Sequence, residues 1–119
     1  MIFENCENSH SQGNVGMGRA IAYYTTKGYT VSIPLNDCQE YDLVVEYPDG
    51  LKKVQVKTTR TKAPSGKYIV GLRTMSGYKD KYTYKLGKYD ILFVITELGQ
   101  TYEYTATQLE GYKNSLTLL

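Results

Sequence analysis

Residues 41 to 59 read YDLVVEYPDGLKKVQVKTT. Two alternating, β-branched runs flank Pro48-Asp49-Gly50, a pattern that predicts a hairpin. With Asp49-Gly50 as a two-residue type I′ loop, Gly supplying the positive φ such a loop needs, Pro48 faces Leu51. Glu46, Val44 and Asp42 then stand opposite Lys53, Gln55 and Lys57. Side chains alternate between the faces of a strand, so Asp42, Val44, Glu46, Lys53, Gln55 and Lys57 share one face. Leu43, Val45, Val54 and Val56 share the other, an apolar surface suited to burial.

Upstream, Val15, Ala20, Ile21 and Tyr24 recur at helical spacing and predict a helix from Asn14 to Lys27, with Gly28 as its C′ residue. Gly13, Gly16 and Gly18 lower helix propensity. GNVGMG lacks both a following Lys-Ser/Thr and a preceding strand, so it is not a phosphate loop, and close helix packing is the expected reason for its glycines. Residues 1 to 12 are polar and aperiodic, and read as a loose arm or a short leading segment whose His10 is solvated. Tyr29 to Pro34 predicts a strand with Tyr29, Val31 and Ile33 on one side. LNDCQE is the loop that delivers Asp42; in it Asp37 either bonds its own backbone or reaches a ligand.

Downstream, residues 60 to 66 read as a polar loop and residues 67 to 73 as a strand with Tyr68, Val70 and Leu72 on one face. Residues 75 to 88, MSGYKDKYTYKLGK, interleave tyrosines and lysines. That pattern suits phosphate and base contacts, and equally a surface hairpin with tyrosines flat on the sheet. Asp90 to Thr96 is the most apolar run and predicts a central strand buried on both faces. Gln100 to Thr105 answers it across a Leu98-Gly99 turn, Thr107 to Lys113 predicts a helical turn, and SLTLL ends in a strand or edge contact. The expectation is a single α/β (α+β) domain over residues 1–119.

The 119 residues carry a net charge of +2, but the distribution is uneven. Between Lys52 and Lys88 eleven Lys or Arg meet one acid, Asp80; the remainder holds three basic residues against eleven acids. Such a division suits a protein that holds a polyanion while staying dispersed. No apolar run approaches a membrane span and no secretory signal is legible. Cys6 and Cys38 lack metal-site spacing, so neither zinc nor a disulfide is expected, and the expected location is cytoplasmic.

Asp42, twelve intervening residues, then Gln55-Val56-Lys57 resembles the PD-(D/E)xK nuclease superfamily in its D…QxK form. Through GNVGMGRAIAYYTTKGYTVSIPLNDCQEYDLVV the chain is similar to the small endonucleases encoded in group I introns, over about residues 12 to 59. The resemblance implies a restriction-endonuclease-like core, a mixed β-sheet flanked by helix. It also implies a Mg²⁺- or Mn²⁺-dependent endonuclease of the homing type acting on double-stranded DNA, as a homo-dimer or homo-tetramer without an organic cofactor.

Phosphodiester hydrolysis without a covalent intermediate needs an activated water and relief of charge on the transition state, which a divalent ion among hard oxygens supplies. Asp42 is the anionic ligand, Gln55 offers only a neutral oxygen, and the resemblance implies that the Val56 carbonyl joins them. Lys57 orients the water or stabilises developing charge; its plain alternative is a cross-strand ion pair with Asp42. Many relatives place a Glu one residue after the second glycine of G-x-x-G, where this chain has Met17. Glu46 lies about 13 Å along the strand from Asp42 and does not replace it. Lys53, Arg60, Lys62, Lys67, Arg73, Lys79, Lys81, Tyr82 and Lys85 are the candidate DNA contacts. The alternatives are a structure-selective nuclease such as a Holliday-junction resolvase, and a catalytically decayed DNA-binding module.

Overall fold

The computed structural model describes residues 1–36, 39–72, 74–75, 82–83, 88–112 and 114–118, with the backbone alone at 74–75 and 82–83. The hairpin forms as strands β2 (Leu43–Tyr47) and β3 (Gly50–Thr59). Its register differs from the expected one by two residues: Tyr47 faces Gly50, Val44 faces Lys53 and Leu43 faces Val54. Pro48 and Asp49 are the turn. Pro fixes φ near the value that the first central position of a type I turn requires, and Gly is favoured at the fourth, so the proline rather than the Asp-Gly pair sets the loop. Because the slip is even, no side chain changes face. What changes is the partner of Asp42, which stands beside Gln55 instead of Lys57.

Helix α1 (Ser9–Thr26) starts five residues before the expected position. Asn8 caps it: its side chain accepts from Ser11 N at 2.9 Å while Ser11 Oγ accepts from Asn8 N at 3.2 Å, the reciprocal arrangement of a capping box. The N-terminal segment is therefore no loose arm. Phe3 is buried in the core, and Ile2 N donates to Glu97 O at 2.9 Å. The helix ends in a Schellman motif, with Tyr29 N on Tyr24 O, Gly28 N on Thr25 O and φ of 85° at Gly28.

Strand β1 (Thr30–Ser32) pairs antiparallel with β2. Strand β4 (Ile69–Gly71) follows β3, and β5 (Thr74–Met75) pairs with β6 (Tyr82–Thr83). Strands β7 (Ile91–Thr96) and β8 (Thr101–Thr105), a 3₁₀ turn (Thr107–Leu109) and β9 (Ser115–Thr117) complete the order. The main sheet runs β1-β2-β3-β7-β8, with β3 and β7 parallel and the other neighbours antiparallel. Its strand β7 is buried at every residue, because both faces of the sheet are covered.

One face packs on α1 around Tyr24, Ala20, Leu43, Val45, Val54 and Phe93. The second face is covered by the β4–β9 ladder, not by a helix, around Tyr68, Val70, Leu72, Leu92, Val94 and Leu116. Gly16 is the helix residue that this packing demands: a Cβ there would collide with the Thr58 methyl, whereas Gly13 and Gly18 have open space. Gln12 Nε2 adds a 2.7 Å hydrogen bond to Thr58 Oγ1. The first turns of α1 are thereby pinned over the C-terminal half of β3.

Candidate active site

Strand β3 is longer than β2, and the site lies where β2 runs out. Asp90 N takes the Lys53 carbonyl and Glu97 N takes that of Thr59, so odd-numbered residues of β3 direct their backbone groups toward β7. Alternation turns those of Val54 and Val56 the other way. Val54 O accepts from Asp42 N at 2.8 Å. Val56, one pair further, has no β2 residue opposite, and its N–H donates instead to Asp42 Oδ2 at 2.8 Å. Its carbonyl points to the same edge as that carboxylate.

A second aspartate offers a comparison. Asp90 Oδ2 accepts from Lys53 N at 2.8 Å, also closing the end of a ladder, but Asp90 is exposed. Asp42 differs in its surroundings. Burial raises its pKa, with the Val56 hydrogen bond and the Lys57 charge acting in the lowering direction. Burial also lowers the pKa of Lys57, opposed by Asp42. The two charges feel each other, yet they form no ion pair within 4.0 Å. The plain structural alternative of a cross-strand salt bridge is therefore not what the side chains do. Each is partly buried, and each charge acts on the other against the effect of that burial.

A cavity of about 310 Å³ opens beside this edge. His10, Asn14 and Met17 of α1 border it on one side, Asp42, Gln55 and Val56 on the other. Met17 and Asp42 also border a smaller cavity of about 130 Å³ that reaches Gln39. Oε1 of Gln39 is buried without a hydrogen-bond partner. The structure brings Asp42, Gln55 and Val56 to one opening with Met17 beside them, and Lys57 is electrostatically coupled to Asp42. The sequence spacing did not foresee His10 or Asn14 at the rim. Asn8 with Ser11 was the available signal: a helix starting at Ser9 brings positions 10, 14 and 17 to one face.

The donor set suits a hard divalent ion: one carboxylate, a backbone carbonyl and carboxamides. Among the described residues no three His, Cys, Asp or Glu side chains gather as a metal-binding group, so neutral oxygens must make up most of any shell. Cys6 is a free thiol against the core; Cys38 and Asp37 lie outside the described residues.

Of the candidate DNA contacts, Lys53 stands over the Tyr41 ring at 5.6 Å and Lys62 over Tyr68 at 5.2 Å. Lys67 is exposed in a tight turn closed by Gly66 N on Ala63 O, where Gly66 has φ of 90°. Arg60 donates to Phe3 O at 3.0 Å and covers the Phe3 ring at 5.8 Å, which ties the N-terminal segment to the end of β3. Arg73, Lys79, Lys81 and Lys85 lie outside the described residues, and Tyr82 is described in its backbone alone, paired with Met75. No described helix is long and apolar enough to cross a membrane.

Comparison with known proteins places the chain in a family. A family model described as PD-(D/E)XK endonuclease matches residues 7–118. No curated protein matches the chain. Among solved structures, the bacterial homing endonuclease I-Ssp6803I is similar, with a TM-score of 0.80 and 26% identity. The match covers 94% of this chain and 78% of that one. The matched stretch runs from the cap of α1 through the β2–β3 edge to β9, and the chain belongs to the PD-(D/E)XK endonuclease family.

Proposed function

We propose that this endonuclease is a metal-dependent, homing-type enzyme that hydrolyses phosphodiester bonds in double-stranded DNA, with Mg²⁺ or Mn²⁺ held at Asp42. The observation that carries the reading is the partly buried Asp42 carboxylate, anchored on Val56 N at the open edge of β3 and near enough to Lys57 for the two charges to act on each other without forming an ion pair. Likeness to a homing endonuclease over 94% of the chain supports the homing type.

In this mechanism Asp42, the Val56 carbonyl and the Gln55 carboxamide would hold the ion. A bound divalent ion lowers the pKa of water and offsets phosphate charge. Lys57, near enough to Asp42 for their charges to interact, would orient the attacking water and steady negative charge as it develops. The cavity between α1 and the edge admits the scissile phosphate, with the rim residues excluding bulk water. One chain offers one such centre, so cleavage of both strands calls for a homo-dimer or homo-tetramer. A DNA substrate fits the cytoplasmic location expected from the sequence.

The test is cleavage of plasmid, four-way-junction and single-stranded DNA with Mg²⁺, Mn²⁺ or EDTA. Site-specific plasmid products that need the metal support the homing reading. Products from branched DNA alone would assign a junction resolvase. DNA binding that is equal with and without metal, and no cleavage of any substrate, would assign a decayed module.

A further inference from the structure

Gln39 lies in the loop between β1 and β2, three residues before Asp42. Its Oε1 is buried and accepts no hydrogen bond, a state that native interiors rarely leave unexplained. The cavity of about 130 Å³ on which it borders has mostly apolar walls, among them Met17, Ile33 and Pro34. Asp42 borders this cavity and also the larger one that holds the open edge of β3. Gln39, with its desolvated and unused oxygen, therefore borders the same small cavity as Asp42, and Asp42 borders the larger cavity as well.

We propose that Gln39 is a further residue of the metal centre, lending its carboxamide oxygen to the divalent ion held by Asp42. The inference rests on the metal-dependent reading above. Its physical basis is the donor count: one described carboxylate leaves a hard cation short of oxygens, and carboxamide oxygens are ordinary ligands for such ions. An oxygen already stripped of water and of protein partners gives up nothing when it turns to a cation. The side chain then has a use for its burial, and the apolar walls behind it hold water away from the ion.

The experiment uses full-length protein freed of metal, with Mn²⁺ as the probe. Its readouts are Mn²⁺ affinity by electron paramagnetic resonance and the rise in melting temperature on adding Mn²⁺. Gln39→Met keeps the length of the side chain and removes the oxygen. In EDTA it should melt at or above the parent temperature, since an unsatisfied buried acceptor is gone. Its Mn²⁺ affinity should fall about tenfold, with a smaller Mn²⁺-induced rise in melting temperature. Gln39→Glu should raise the affinity instead, which keeps the test open should the methionine variant fold poorly. Parent-like Mn²⁺ affinity in both Gln39 variants, with binding lost in Asp42→Asn, overturns this proposal alone and leaves a trapped water as the partner of Gln39. Parent-like affinity in Asp42→Asn, or no Mn²⁺ uptake by the parent, overturns the metal site as a whole.

Discussion

Val56 N donates to Asp42 Oδ2 at 2.8 Å, across the point where β2 ends and β3 continues. The carboxylate occupies the place that a β2 carbonyl would take in an unbroken ladder. This one bond fixes the acid against the edge, beside the cavity that Asp42 borders. It also explains why the site forms at the end of a hairpin: only there is a backbone carbonyl of the central strand left without a strand to face.

Lys57 holds its charge against burial, which lowers its pKa. At neutral pH that costs stability, because the unfolded chain binds the proton more readily. Lys57→Met is expected to raise stability by about 0.5–1 kcal/mol at pH 7 while cutting cleavage by about 10²–10⁴-fold. The sign predicts more: the parent recovers as pH rises from its lowered value toward the ordinary lysine value, so the advantage of the variant should shrink. Urea unfolding of both proteins between pH 6 and 10 measures it, and an advantage that grows with pH would refute it.

Gly16 and Gly18 should respond in opposite directions. A methyl at 16 meets Thr58 of β3, whereas one at 18 meets nothing within 4 Å. Gly16→Ala is expected to destabilise by about 1–3 kcal/mol and, by lifting α1 from the edge of the site, to slow cleavage. Gly18→Ala should stabilise by about 0.5–1 kcal/mol. Thermal unfolding of the two variants decides, and equal shifts would contradict the packing described.

Glu103 on β8 gathers three hydroxyls from other elements: Tyr47 at 2.6 Å, Tyr24 at 2.7 Å and Tyr23 at 3.3 Å. Burial, followed by these bonds, raises the pKa of Tyr24 and of Tyr47 above the ordinary value. The stability they contribute is full below about pH 10 and is lost as pH climbs through the raised folded values. Ultraviolet titration should therefore show some tyrosines ionising only as the protein unfolds. Glu103→Ala, which orphans the hydroxyls, should cost about 2–4 kcal/mol. Simultaneous ionisation of all tyrosines without loss of structure would count against this.

Met17 borders both cavities beside Asp42, so a carboxylate there would join the acid already present. Met17→Glu is expected to tighten Mn²⁺ binding about tenfold or more. In EDTA it should lower stability by about 1 kcal/mol, as two like charges share the edge. Calorimetric titration with Mn²⁺ checks the first and thermal unfolding the second; unchanged affinity would place Met17 away from the ion.

The hairpin was legible because alternation assigns faces without needing the register. The register is less legible, because Asp49-Gly50 and Pro48 favour different loops and the proline prevails; the faces are the same in both because the two registers differ by an even number of residues. β7 announced itself by unbroken apolar character. The start of α1 is only faintly marked, by Asn8 with Ser11, since its capping box uses Ser11 where Glu or Gln is the usual signal. The β4–β9 ladder depends on a pairing across more than forty residues, which no local pattern encodes. In the site, the spacing of Asp42, Gln55 and Lys57 was readable because a hairpin converts spacing into proximity. Gln39 was not, because a loop without periodicity gives no hint of where its side chains point.

The most direct test compares the parent with Asp42→Asn on supercoiled and linear double-stranded DNA in Mn²⁺. Asparagine still accepts from Val56 N, so the variant should fold and bind DNA like the parent. It should cleave at least about 100-fold more slowly. Cleavage by Asp42→Asn at the parent rate would contradict the assignment of this edge as the catalytic centre.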